Sequence, residues 1–306
     1  SQEKPFELPW AIDVYDNGKP KRANIWVEKK EKNTFTFDAS KTPDLININA
    51  DGILLSDITE TKTPEQNLLQ FTNSKEFLSR HRALDAVKGA DAKNPAVIKL
   101  LAAALKDPFF RIRQQALEQI DLSNADQAKA MTADVEKLAS NDPKTLVQAA
   151  AISALAKTKN AKYASLYEKG INAMSNAVKG ASLAGIAETD PSKVAALADK
   201  IDLDNASEDL IAKLLPVIVK NKIDKQMPAI GTTVAFYPFI KFQNPDLGKS
   251  AEEGYNWIMS SDNLKATEKV TKVLLQAKSQ MPDNPQVKMM IVQMLKDGIE
   301  KKMEVL

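Results

Sequence analysis

The run Asp107-Pro108-Phe109-Phe110-Arg111-Ile112-Arg113-Gln114-Gln115-Ala116-Leu117-Glu118-Gln119-Ile120 sets the period of everything around it. Asp suits a helix N-cap and Pro the first helical position, so the opening pair predicts a helix start. Inside the run a small residue, Ala116, is followed by a large apolar one, Leu117, and by Ile120 three residues further on. That order describes a helix face packed closely against a neighbour. It recurs as Ala83-Leu84 with Val87, Ala151-Ile152 with Leu155, and Ser182-Leu183 with Ile186, at intervals of 33, 35 and 31 residues. Asp142-Pro143 stands nine residues before Ala151, as Asp107-Pro108 does before Ala116. Partner helices fall between the repeats, over 96–105, 130–139 and 163–174. Each unit is a helix pair that cannot bury its apolar stripe without a neighbour on either side.

The run also resembles the HEAT-repeat consensus: Asp-Pro at the opening, an Arg six residues later (Arg113), then Ala and a large apolar residue. The next unit keeps the order with Gln148 at the Arg position, and the likeness fades near Ser182 and beyond Leu210. A helical array is expected from residue 64, where Pro64-Glu65 opens a stretch rich in Ala, Leu, Lys and Gln. Further on, Pro216 is expected to kink or divide a helix over 210–219. Tyr237-Pro238-Phe239-Ile240 reads as a turn between helices. Stretches 251–259 and 264–277 are amphipathic. Val287, Met290, Ile291, Met294, Leu295 and Ile299 lie at helical spacing, giving a last capping helix whose Met stripe belongs to the core.

Upstream of residue 60 the period is two. Phe6, Leu8, Trp10, Ile12 and Val14 alternate with Glu7, Pro9, Ala11, Asp13 and Tyr15, which places the even face on a core and the odd face in solvent. Pro9 lacks a ladder donor and marks an edge or a bulge. Asp16-Asn17-Gly18 predicts a tight hairpin, Ile25–Val27 a second strand, and Lys29 to Asn33 a solvated turn. Thr34-Phe35-Thr36-Phe37 reads as a third strand and Leu45 to Asn49 as a fourth, with Ile53, Leu54 and Leu55 closing the run. The fold class is therefore mainly α, an α-α superhelix of HEAT/ARM-like solenoid type over 64–306, preceded by a small antiparallel β-sandwich over 1–60.

The 306 residues carry 42 Lys+Arg against 40 Asp+Glu, and this balance argues against a dedicated nucleic-acid binder. With no Cys, disulfides, thiolate nucleophiles and Cys-ligated metals are excluded. One His, His81, rules out every site that needs two imidazoles, including HExxH zincins. A Ser–His–Asp site has only His81 to use. That residue is flanked by Arg80 and Arg82, which disfavour an imidazolium, so it reads as structural. Gly52, Gly89, Gly170, Gly180 and Gly185 are scattered, without a phosphate loop. Glu252-Glu253 and Asp202/Asp204 read as solvated helix ends or caps. Phe109, Phe110, Arg111 and Arg113 form an aromatic–basic group in which Arg113 is expected to bond carbonyls or carboxylates between repeats. No window approaches the roughly 18 apolar residues of a membrane span. No catalytic, cofactor-binding or metal-ligating residue is expected in this chain.

Finally, Ser1-Gln2 … Phe6-Glu7-Leu8-Pro9-Trp10-Ala11-Ile12, with Phe35-Thr36-Phe37 … Pro43-Asp44-Leu45-Ile46-Asn47-Ile48-Asn49-Ala50-Asp51-Gly52, resembles the small β-domain that follows the catalytic domain in aminopeptidase N-like zinc metallopeptidases. The family's C-terminal domain is a helical solenoid enclosing the catalytic chamber. The resemblance implies a non-catalytic C-terminal region of such a peptidase, with the zinc, the catalytic domain and the first strand or two of the sandwich upstream. Its partners would be that upstream domain and the parent's peptide substrate. The family's HExxH…E and Gly-X-Met-Glu-Asn motifs are absent, so none of its catalytic residues maps onto this chain. The residues alone leave an alternative open, a HEAT-repeat protein-binding adaptor with no peptidase connection. Compartment stays open too, since the composition suits a bacterial exported protein as well as a cytoplasmic one.

Overall fold

The structure is a computed structural model that describes residues 7–39, 41–52, 58–203, 206–280 and 284–305. Phe6, Asp204 and the Ile53-Leu54-Leu55 run lie outside the described residues. The chain divides into two compact units, Ser1–Leu138 and Ala139–Leu306.

In the first unit, β1 (Leu8–Asp16), β2 (Lys19–Val27) and β3 (Leu45–Ile48) form an antiparallel sheet in the order β2-β1-β3. The hairpin between β1 and β2 turns at Asn17 and Gly18, both with positive φ, as Asn-Gly predicts. β1 is the central strand, yet β3 pairs only with its residues 12 to 15. Pro9 lies beyond that pairing, opposite Trp26 of β2 alone, so its missing N–H costs no ladder bond.

Directly opposed residues share a face, so Asp13 lies beside Arg22 and Asn47. Asn47 Nδ2 donates to Ser79 Oγ (3.3 Å), and Gln66 Nε2 donates to the Asp44 carbonyl (3.3 Å). The odd face of β1 is thus the one turned to the helices. Ala11, Asp13 and Tyr15 are buried along with Ile12 and Val14, which corrects the expected solvent face. Arg22 clamps the buried Asp13 and also reaches Asp51. Burial, with the Asp13 carboxylate nearby, pushes the Tyr15 phenol up. Thr34 to Phe37 form no strand, a second correction, and Phe35 is exposed. Asn33 ends β2 by exchanging two hydrogen bonds with the Glu28 backbone, at 2.9 and 3.0 Å, so the chain leaves the sheet there.

Helices α1 (Pro64–Asn73), α2 (Phe77–Asp85), α3 (Pro95–Ala104) and α4 (Phe110–Gln119) follow, then α5 (Ala125–Asn141), within which the division between units falls. Thr63 and Gln66 make a reciprocal capping box at α1. α1 packs on α2 and α3, and α4 packs on α2 and α3.

The second unit holds α6 (Thr145–Ala156), α7 (Ala164–Ile171), α8 (Asn176–Thr189), α9 (Val194–Ala198), α10 (Glu208–Lys220), α11 (Met227–Ala235), α12 (Tyr237–Gln243), α13 (Pro245–Met259), α14 (Leu264–Gln280) and α15 (Pro285–Met303). α8 packs on α6, α7 and α10, and α13 on α10, α11, α12 and α15. The fold is mainly α, built from HEAT-like helix pairs and preceded by a small antiparallel sheet.

The repeat register read from the sequence is the register of the core. Ala83, Ala116, Ala151 and Ser182 are all fully buried, and so are the large residues that follow each. Helix starts differ from expectation. α4 begins at Phe110 and α6 at Thr145, because Asp107 and Asp142 cap the turns before the helices: Asp107 Oδ1 accepts from Phe109 N, and Asp142 Oδ1 from Lys144 N, each at 2.8 Å. Pro216 sits inside an unbroken α10, its ring on the exposed side. Burial of Leu214, Leu215, Val217 and Ile218 holds the helix across the missing donor. Tyr237 to Ile240 form the first turn of α12, and the chain bends one residue earlier, at Phe236. In α15, Ile291 and Met294 join the core while Ile299 is exposed. Among the described residues no helix is long and apolar enough to cross a membrane.

α7 and α8 meet through glycines. A Cβ on Gly185 would stand 2.9 Å from the Tyr167 ring, and one on Gly170 would stand 2.0 Å from Ser182 Oγ. Ser182 Oγ is buried without a hydrogen-bond partner, and such a group costs about 1–3 kcal/mol. Gly170→Ala is therefore expected to destabilise by about 1–3 kcal/mol despite its better helix propensity. Ser182→Ala should be neutral or stabilising. Urea denaturation of both variants checks this, and a clear loss of stability in Ser182→Ala would mean that the hydroxyl has a partner.

Candidate functional site

His81 and the aromatic–basic group Phe109, Phe110, Arg111 and Arg113, read separately in the sequence, are brought together through Phe77 and held by one repeated device. Position three before each small residue holds Arg80, Arg113 and Gln148 in successive repeats. Each side chain reaches back to carbonyls of the turn before its own helix. Arg113 Nη1 donates to the Asp107 and Pro108 carbonyls at 2.8 and 3.1 Å, and Gln148 Nε2 to the Asp142 carbonyl at 2.6 Å. Arg80 Nη1 does the same with the Ser74 and Lys75 carbonyls. The equivalence explains why Gln can replace Arg: the task is donation to a turn carbonyl, which needs an N–H and no charge.

Arg80 does one thing more. Its Nε donates to Asp107 Oδ2 at 2.7 Å and its Nη2 to Oδ1 at 3.3 Å, an ion pair across 27 residues with both side chains largely shielded. Asp107 in turn holds the amide of Phe109. That turn presents Phe109 edge-on to Phe77 (centroids 4.9 Å apart) and against Phe110 (5.2 Å). Phe77 stacks on the His81 ring at 5.6 Å, and the Arg111 guanidinium lies 5.0 Å over the Phe110 ring. Phe77 and Phe109 are 41% and 39% exposed, so this knot of rings stands at the surface.

Beside it runs an open groove of about 520 Å³ between α2 and α4. Phe77, His81 and Asp85 line one wall at a spacing of four residues, one face of α2. Arg111, Gln115 and Glu118 line the other from α4. His81 Nδ1 lies 2.7 Å from Gln115 Oε1. An amide oxygen only accepts, so Nδ1 carries the proton and Nε2 is the acceptor of the neutral ring. A nucleophilic triad would need a carboxylate at Nδ1 to steady an imidazolium. An uncharged amide occupies that position. Asp85 and Glu118 balance Lys88 and Arg111 around the groove, so it holds hydrogen-bonding groups of both kinds and no net charge. Among the described residues no cluster of His, Asp and Glu could hold a metal ion.

Arg113 was expected to bond between repeats; the carbonyls it meets, those of Asp107 and Pro108, belong to the turn before its own helix, and the link between repeats is made by Arg80 instead. The sequence reading names Arg80 only as a neighbour of His81 and Phe77 not at all, although the repeat interval points to both: Phe77 and Arg80 precede Ala83 by the six and three residues that separate Phe110 and Arg113 from Ala116. Gln115 lacked any such signal, since its role depends on helix packing.

No family model matches this chain, and no curated protein matches it. Among solved structures, the complex of CpcE and CpcF of phycocyanin lyase from Nostoc sp. PCC7120 is similar at a TM-score of 0.44 and 14% identity, over 83% of this chain and 98% of that one. That similar structure is a phycocyanin lyase complex and not an aminopeptidase N-like peptidase. On that finding the reading of residues 1–306 as the C-terminal region of a zinc metallopeptidase is corrected, and the aminopeptidase, zinc, upstream-domain and peptide-substrate assignments go with it. The likeness carries no argument about lyase chemistry in this chain.

Arg80→Ala is expected to cost about 3–5 kcal/mol, since it strands a buried carboxylate. Combined with Asp107→Asn, the loss should fall well below the sum of the single losses. Chemical denaturation of the four proteins of this cycle checks the pair, and additive losses would show that the two side chains do not depend on each other.

Proposed function

We propose that this chain is a HEAT-type protein-binding module, with the Phe77–Phe109–Phe110 knot and Arg111 as its contact point in the first unit. The observation that carries the reading is the exposure of two packed phenylalanines, Phe77 at the start of α2 and Phe109 on a turn fixed by a shielded ion pair. Rigid aromatics and arginine dominate interface energetics because they bury much area at little entropic cost. Holding them in place beforehand removes the ordering cost of binding. Next to the rings, His81, Gln115, Asp85 and Glu118 offer donors and acceptors for a polar rim. The balanced charge favours a protein over a phosphate backbone, whose binding would require an excess of cations.

Phe77→Ala with Phe109→Ala should lower stability by less than about 2 kcal/mol, because much of each ring is already in water, while abolishing partner binding. A photoreactive amino acid placed at position 77 in the source cells should give a discrete protein adduct. That adduct should vanish with Arg111→Ala and be absent when the probe sits at exposed Lys129. No adduct at position 77, or one indifferent to Arg111, would overturn the reading.

A further inference from the structure

The second unit carries a groove of different character, and we propose that it docks an acidic peptide segment bearing aliphatic side chains. It is an open groove of about 630 Å³ that runs over α8, with α6 on one side and α10 on the other. α8 contributes small residues, Ala184 and Ala187, which set the floor below its flanks. α6 adds Ala156, and α10 adds Pro216 and Val217. The floor is therefore apolar, and Pro216 has no backbone N–H to wet it.

Its rim is cationic. Lys157, Lys159, Lys213 and Lys220 surround the groove against one carboxylate, Glu188. Glu188 is shared: Lys159 Nζ and Lys220 Nζ each approach it at 3.3 Å. Burial raises its carboxyl, but the two ammoniums outweigh that and hold it below the usual range, so Glu188 stays ionised and is spent on the rim. Lys157 has no carboxylate partner among the described residues and stands exposed at the end of α6.

A recessed apolar floor beneath lysines fits a ligand whose carboxylates flank aliphatic groups, the charge reverse of the groove. A membrane surface suits it poorly, because the apolar part lies below the charges instead of protruding past them. Single-stranded nucleic acid would meet the lysines, but no aromatic ring lines the floor to stack a base. The inference stands on the second unit alone and is independent of the aromatic knot.

The test uses the full chain and fluorescence anisotropy with a labelled peptide of Glu-Glu-Leu-Leu repeated four times. Binding should be saturable in the micromolar range, about 1–100 µM, and should weaken as salt rises. Lys157→Gln with Lys220→Gln should weaken it about tenfold or more. So should Ala184→Trp, which fills the floor from a half-exposed position and leaves every lysine in place. Oligoglutamate of the same length, the Lys-for-Glu peptide and an oligothymidylate should each bind at least about tenfold more weakly. No saturation by about 1 mM, equal binding by both variants, or tighter binding of oligoglutamate or oligothymidylate would overturn the proposal.

Discussion

Burying a turn between two helices means burying its carbonyls and its carboxylate, and this structure depends on how they are paired. Each of three repeats solves the problem from the same place, three residues before the small residue at the helix contact. Arg80, Arg113 and Gln148 all fold back onto the turn that precedes them. The aspartates of the last two turns accept a backbone amide two residues on. A buried carbonyl without a donor costs more than a made hydrogen bond gains, so the device fixes the turn, and the turn fixes the angle at which the next helix starts. The fully buried Ala83, Ala116 and Ala151 then let neighbouring helices approach. Arg80 joins consecutive repeats as well, through Asp107, and this is where local turn geometry becomes surface architecture, because Phe109 hangs from the same carboxylate.

The repeats were legible because close packing writes itself into the sequence at a period: a small residue cannot be replaced where helices touch, and it recurs each time they do. Helix starts were less legible. Asp-Pro signals a chain reversal as well as a helix start, and here the reversal takes two more residues before Phe110 and Thr145 begin their helices. The face of β1 was misread for a related reason. Alternation tells which residues differ, not which side carries the helices, and a strand covered on both sides buries Asp13 and Tyr15 as thoroughly as Ile12. Asp13 is tolerated there because Arg22 pairs with it from the neighbouring strand, at a position 9 residues away that alternation does not connect.

The metallopeptidase resemblance rested on the order of elements and on short strand motifs. Such motifs encode little beyond edge position and turn chemistry: Pro9 needs a place without a ladder partner, and Asn17-Gly18 needs a hairpin. Any antiparallel sheet that leads into helices makes the same demands. A β-strand of four residues such as β3 has too few positions to specify a family, whereas the HEAT-like run had fourteen in register. The more durable reading was accordingly the one that followed from the repeat.

What a helix-pair array offers functionally is surface whose chemistry changes from helix to helix while the backbone plan stays constant. The two grooves show how small the sequence differences are that set that chemistry. Over α2 and α4 the contact row carries Phe77, His81, Arg111 and Gln115, long groups that fill the space with rings and hydrogen-bonding atoms of both signs. Over α8 the row carries Ala184 and Ala187, and the lysines of neighbouring helices lean over a hollow. Side-chain volume decides whether a helix forms a ridge or a floor. Charge decides what the resulting shape will accept, since a rim of one sign repels every ligand that shares it. Gly185, the small residue that lets α8 meet Tyr167 of α7 on its buried side, therefore has counterparts in Ala184 and Ala187 on its outer side, where the same economy of volume opens the groove.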